Sequence, residues 1–284
     1  MADMQSTNPQ LEPLKVEPLK VYWQPGCTGC LRMKEFLTRH NVEFISVNVL
    51  EDREGLEELV ALAGRHVPIA RRGKDWVDGQ VLADLARIAG IPWGGGIKML
   101  APPELAKRAQ TVLATVERLT RQIPEKQLDL ELPDRPRSFR QLVAHIAQID
   151  EAFLDLVEHG TRLEFAAYNQ DVPANVKSKE DLLEYVESVR VRLQAWWQDK
   201  GHATDFSPQA NVYYGAQSLH EFLERSTWHT AQHTRQLALV VEALGMKPDR
   251  PLGEAELAGL PLPTHAWEDT LEFSLRGAAV AAAA

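Results

Sequence analysis

Only two cysteines occur in the 284 residues, and both fall within four positions, Cys27-Thr28-Gly29-Cys30. A secreted protein of this size usually scatters several cysteines as structural staples, so a disulfide-built scaffold is excluded. Positive charge is also scarce. Lys and Arg number 31 against 40 Asp and Glu, a formal net charge of -9. That balance repels a phosphate backbone, and the densest basic run, Arg65 to Lys74, is short, so no nucleic-acid partner is expected. No apolar run approaches the ~18 residues that cross a bilayer. Leu237 to Leu244 is interrupted by Glu242, and the alanine-rich stretch after Ala278 is too short. The first eighteen residues are polar and proline-punctuated, without the apolar core of a signal peptide. A cytoplasmic protein without membrane association is the expectation.

What is present divides in two. At this length two domains are the better prior. Leu19 to Trp23 reads as a strand, Thr28 to His40 as a helix, Val42 to Val49 as a strand, and a helix capped by Asp52 runs to Gly64. Short strands at Val67–Ala70 and Trp76–Val77 follow, then a helix from Gln80 to Ala89. This order predicts a small mixed-sheet α/β domain over residues 15–92. Gly94-Gly95-Gly96, within a boundary segment at 93–101, reads as a flexible hinge between separable units. Beyond it, apolar residues at helical spacing predict four long helices: from Pro102, from Ser138, from Ser178 to Trp197, and from Ala216 to Leu244. They argue an all-α four-helix bundle over 102–246, with 247–284 as an extended tail.

A C-x-x-C that follows a strand and opens a helix has a mechanical logic. The first sulfur lies at the helix N-terminus, where unpaired N–H groups favour the thiolate, and the second resolves the mixed disulfide. Cys27 is the expected nucleophile and Cys30 the resolver. Half a zinc site is the competing reading, but His40 and His66, the only histidines of that domain, have no zinc-ligand spacing to the pair. Val21-Tyr22-Trp23-Gln24-Pro25-Gly26-Cys27-Thr28-Gly29-Cys30, followed by Val67-Pro68, resembles a glutaredoxin. The resemblance implies a thioredoxin fold and a cis Val67–Pro68 bond beside the nucleophile. It also implies that Val67 and Pro68 contact the bound peptide or thiol. Three positions depart from the family: Gln24 replaces a basic residue, Gly29 an aromatic, and Val81-Leu82-Ala83-Asp84 a glycine pair that helps hold glutathione.

His229 and His233 lie one helical turn apart, about 6 Å along the axis, a spacing suited to two ligands of one metal ion. His145 lies among Leu142, Val143, Ile146 and Ile149; if its helix faces the fourth, a third imidazole points to the same place. A lone histidine on an apolar face is more often a core residue, and Trp228 beside the pair reads first as core. Leu142-Val143-Ala144-His145 and His229-Thr230-Ala231-Gln232-His233-Thr234-Arg235-Gln236-Leu237 resemble the DinB/YfiT family over about residues 100–245. That resemblance implies a four-helix bundle holding a divalent metal on His145, His229 and His233, and similarity to thiol-dependent S-transferases.

Three neutral histidines leave coordination positions open for a thiol or a water. Zinc or nickel suits such a donor set. The leading expectation is a thiol-handling enzyme: a thiol-disulfide oxidoreductase fused to a metal bundle that activates a low-molecular-weight thiol. The residues leave open a metal-dependent hydrolase, and equally a non-enzymatic redox sensor or metal-binding module. Small thiols or disulfides are the expected partners, and a homodimer is compatible with the pattern.

Overall fold

The computed structural model describes residues 17–63, 66–94, 98–268 and 273. The first domain is built on a four-stranded sheet of β1 (Leu19–Trp23), β2 (Ile45–Asn48), β3 (Ile69–Arg72) and β4 (Asp75–Asp78). The spatial order is β2-β1-β3-β4, with β1 parallel to β2 and antiparallel to β3. Alternation along β1 explains why both faces of the sheet are covered. Leu19 and Val21 join a core with Met33 and Leu37 of α1 (Thr28–Arg39) and Leu85 of α3 (Leu82–Ala89). Tyr22 points the other way, into a core with Cys30, Val47 and Leu59, the last from α2 (Arg53–Ala63). The Val67–Pro68 bond is cis. This is the mixed sheet that the order of elements predicted, in the thioredoxin-like form that the resemblance implies.

The second domain is the four-helix bundle: α4 (Pro102–Gln122), α5 (Phe139–His159), α6 (Lys179–Asp199) and α7 (Leu219–Ala243). α7 packs between α4 and α5, and α6 packs on the other side of the same two. Capping boxes start three of the helices, at Ser138, Ser178 and Ser218. The fourth was expected from Ala216. It starts at Leu219 because the Ser218 hydroxyl accepts from the Glu221 N–H, and Gln217–Ser218 instead pairs as a strand, β8, with β7 (Gln209–Ala210). A second small hairpin, β5 (Glu131–Leu132) and β6 (Arg135–Ser138), precedes α5. Neither hairpin shows in the sequence, since two-residue strands carry no periodicity. Among the described residues no helix is long and apolar enough to cross a membrane.

Residues 95–97 lie outside the described residues, and with them most of the expected hinge. The described parts of the two domains are in direct contact. α1 packs on α7, and the Arg32 guanidinium lies 4.9 Å from the centre of the Trp228 ring. The tail, expected to run extended over the bundle, contains a one-turn helix, α8 (Glu254–Leu257), and then reaches both domains. Gln232 donates to the His265 carbonyl at 2.9 Å and Arg235 to the Pro263 carbonyl at 2.9 Å. On the other side, Glu35 of α1 accepts from the His265 N–H at 3.1 Å.

Trp267 closes this brace by packing over Gly26, immediately before Cys27. Gly26 has φ +65°, and a Cβ there would collide with the Trp267 ring. Gly26→Ala is therefore expected to cost about 1–3 kcal/mol in urea unfolding, from collision plus left-handed strain. With Trp267→Ala in the background, only the conformational part, about 1 kcal/mol, should persist. Equal costs in both backgrounds would remove the contact from the explanation.

Candidate functional site

Cys27 caps α1 and is joined to Cys30 as a disulfide. Cys27 is partly exposed while Cys30 is fully buried in the core under α2. The Cys30 N–H donates to Cys27 Sγ at 3.2 Å, so one unpaired N–H of the helix's first turn already answers this sulfur. Gly29 explains one departure from the glutaredoxin pattern. A Cβ there would lie 3.2 Å from Gln80 Cγ and 3.3 Å from Pro68 Cδ, so a larger residue would require these side chains to give way. Val81 accounts for a second, since it packs against the core of the bundle where the glycine pair was expected.

His145 on α5 and His229 and His233 on α7 come together, each buried. Their ring centres are 4.8 to 5.6 Å apart, and one ligand nitrogen from each falls within 4.8 Å of the others. His233 Nδ1 shares a 2.6 Å hydrogen bond with Gln236 Oε1, the glutamine three residues on, which turns its Nε2 toward the cluster. His229 Nδ1 is buried without a hydrogen-bond partner. Burial, and after it mainly the charge of nearby arginines, holds all three imidazoles well below their usual pKa. They are therefore neutral, the form that ligates a metal. An orphaned imidazole nitrogen in a neutral three-histidine cluster fits a divalent ion. His220, on the far side of α7, bonds instead to the Leu100 carbonyl, and His159 is exposed.

One pocket, of about 50 Å³, is lined by both halves: Cys27, Val67 and Pro68 from the first domain, and His145, His229 and His233 from the bundle. All the expected site residues except the buried Cys30 therefore share a wall. Arg225, one turn before His229, ties the halves together. It donates to Tyr168 Oη at 3.1 Å and to Gln80 Oε1, and its guanidinium lies 4.4 Å from the Tyr214 ring centre. Sequence reasoning passed over Arg225, although positions 225, 229 and 233 form one stripe at i, i+4 and i+8. It also passed over Arg135 and Arg137, which lie between the first two predicted helices of the bundle and line the same pocket.

Comparison with protein families matches residues 19–74 to glutaredoxin and residues 105–237 to the DinB superfamily. An uncharacterized glutaredoxin-like 8.6 kDa protein in the rubredoxin operon of Clostridium pasteurianum is 32% identical over 65 residues, 80% of its own length and 22% of this chain.

Asp78 holds the loop from which Gln80 reaches Arg225, accepting from the Gln80 N–H at 2.9 Å. Burial raises its carboxyl to about 6, although the Gln80 N–H and Arg225 favour the charge. The unfolded value is near 3.9. Because the folded pKa is the higher, this stabilising contribution is complete below about pH 4 and is lost as pH rises through about 6. Asp78→Asn should flatten the fall in urea-unfolding stability between pH 4 and 7 by at most about 3 kcal/mol. An unaltered slope would assign the pH dependence to other groups.

Proposed function

For a chain that belongs to the glutaredoxin-like proteins through its first domain and carries a DinB superfamily domain in its second, we propose a thiol-handling role centred on one shared pocket. The observation that carries this reading is the common wall: Cys27 and the three imidazoles line the same pocket. Two thiols reduce the pair. The first, as thiolate, attacks Cys27 Sγ; the Cys27–Cys30 bond breaks, and Cys30 departs as a thiolate that takes up a proton. A second thiolate then attacks the partner sulfur of the mixed disulfide, releasing the small disulfide and leaving Cys27 reduced. Run in reverse, the reduced pair delivers two electrons to a disulfide substrate. The N-terminal turn of α1 stabilises Cys27 as the departing and attacking thiolate, through the Cys30 N–H that donates to its sulfur and the helix dipole.

In the bundle, His145, His229 and His233 would hold a divalent ion, with zinc or nickel suited to imidazole. Such an ion, when bound, lowers the pKa of a thiol entering its open position. Gln236 fixes the His233 tautomer, and the apolar core of the bundle backs the cluster on its inner side. A thiol activated there lies in the pocket that Cys27 also lines, so a thiol transferase reaction and recycling of the same thiol are compatible in one enclosure.

Two measurements test the halves separately. After reduction, limiting iodoacetamide at neutral pH should alkylate Cys27 well before the fully buried Cys30. Preferential labelling of Cys30 would reverse the assigned roles. His229→Ala should abolish stoichiometric zinc or nickel, measured by elemental analysis, while leaving the far-ultraviolet circular dichroism of the bundle intact. The large apolar faces of α4 to α7 hold the fold without an ion. Full metal retention in that variant would defeat the centre.

A further inference from the structure

A second cavity, of about 300 Å³, adjoins the first: Gln80 and Arg225, in contact across the domain boundary, line both. No cysteine and no histidine is among the described residues that line it. What lines it is charge of both signs that the protein leaves unanswered. Glu224 of α7 makes no side-chain hydrogen bond or ion pair among the described residues, and its Oε1 is buried. Burial raises its carboxyl, with the Arg32 charge acting against the rise. Arg32, from α1 of the first domain, stacks on the Trp228 ring and makes one long hydrogen bond, 3.4 Å to the Gln80 carbonyl. Burial lowers it to about 10, so it stays a cation at neutral pH. Arg32 and Glu224 sense each other's charge without forming an ion pair. Arg225, only 7% exposed, adds a buried Nε that has no partner. The other acid of the wall, Glu221, is engaged in the cap of α7. Trp93, Met99 and Leu82 supply an apolar side. Buried polar groups left unpaired are costly, and a ligand carrying the complementary groups removes that cost.

We propose that this second cavity binds a free α-amino acid with an apolar side chain, its carboxylate on Arg32 and the Arg225 Nε, its ammonium on Glu224, and its side chain against Trp93, Met99 and Leu82. A carboxylic acid alone would leave Glu224 unanswered, and an amine alone would leave the two guanidiniums so; only a zwitterion answers both. The volume lies at the small end of ligand pockets, about 300–1,000 Å³, which suits one amino acid and not a peptide or a dinucleotide. The site stands apart from the thiol chemistry and does not depend on it. Its ligand sits behind the Gln80–Arg225 wall of the reaction pocket without entering that pocket.

The test uses the intact chain and five probes: L-leucine, L-methionine and L-phenylalanine as zwitterions, 3-phenylpropionate with the carboxylate alone, and 2-phenylethylamine with the ammonium alone. Thermal unfolding is followed by far-ultraviolet circular dichroism, and affinity by isothermal titration calorimetry. At about 10 mM, at least one of the amino acids should raise Tm by about 2 °C or more and titrate to one site per chain. The one-charge probes should bind at least about tenfold more weakly than L-phenylalanine or the best amino acid of the set. Glu224→Gln removes a carboxylate that has no partner in the protein, so the ligand-free variant should melt at the same temperature or higher. The same variant should lose about tenfold or more in affinity for the amino acid, a change that a merely structural role would not produce. Arg32→Gln should weaken the amino acid and 3-phenylpropionate alike and leave 2-phenylethylamine unaltered. The absence of any Tm shift with all three amino acids would overturn the site. Equal affinity for an amino acid and a one-charge probe would overturn the zwitterion assignment. Binding untouched by Glu224→Gln would put the ligand elsewhere on the molecule and overturn the proposal as well.

Discussion

Arg225 is the charge on which the two halves of this site depend. It sits on α7 where the domains meet, buried and without a carboxylate partner in ion-pair contact among the described residues. A cation in that position is tolerated where acceptors and ring faces answer most of it, and here only its Nε lacks a partner among the described residues. Gln80 answers from the first domain and Tyr168 from the second, while the rings of Tyr168 and Tyr214 supply their faces. Asp78 fixes Gln80 in turn, and Tyr168 meets both His145 and His229 edge-on. A single chain of contacts therefore runs from the sheet of the first domain to the imidazoles of the bundle. Separating the domains would strand a buried charge, which makes their docking a condition of the site.

The tail supplies a second, independent brace. Gln236 orients His233 through its carbonyl oxygen and donates from its amide to the Ala266 carbonyl at 3.1 Å. The same amide lies 3.4 Å from the Gly26 carbonyl, immediately before the nucleophile. One side chain thus positions a ligand, the tail and the cysteine loop. The Thr227, Thr230 and Thr234 hydroxyls on α7 are satisfied within the helix by carbonyls three or four residues back. This lets a helix with so many buried polar residues pack on all sides.

The folds were legible because their signals are local. Alternation in Leu19–Trp23, the Ser138 and Ser178 caps and the apolar spacing of the four long helices each depend on neighbours within a few residues. The two reactive groups were legible for the same reason, since Cys27-x-x-Cys30 and His229-x-x-x-His233 are one-turn spacings. Their union was not, because it is made by contacts between residues more than a hundred positions apart, such as Gln80 with Arg225. Gly29 and Val81 show how this misleads. Against a glutaredoxin pattern they read as lost glutathione contacts, whereas one makes room for Pro68 and Gln80 and the other packs on the bundle. Arg135 and Arg137 were missed because a two-strand hairpin has too few residues for its alternation to stand out from a loop.

A flexible tether raises the local concentration of one domain at the other to about the millimolar range, but leaves their orientation free. Docking does something different, because Cys27 becomes part of the pocket wall. When Cys27 and Cys30 are joined, that wall carries no negative charge to answer Arg135 and Arg137. When they are reduced, a Cys27 thiolate enters the same positive field.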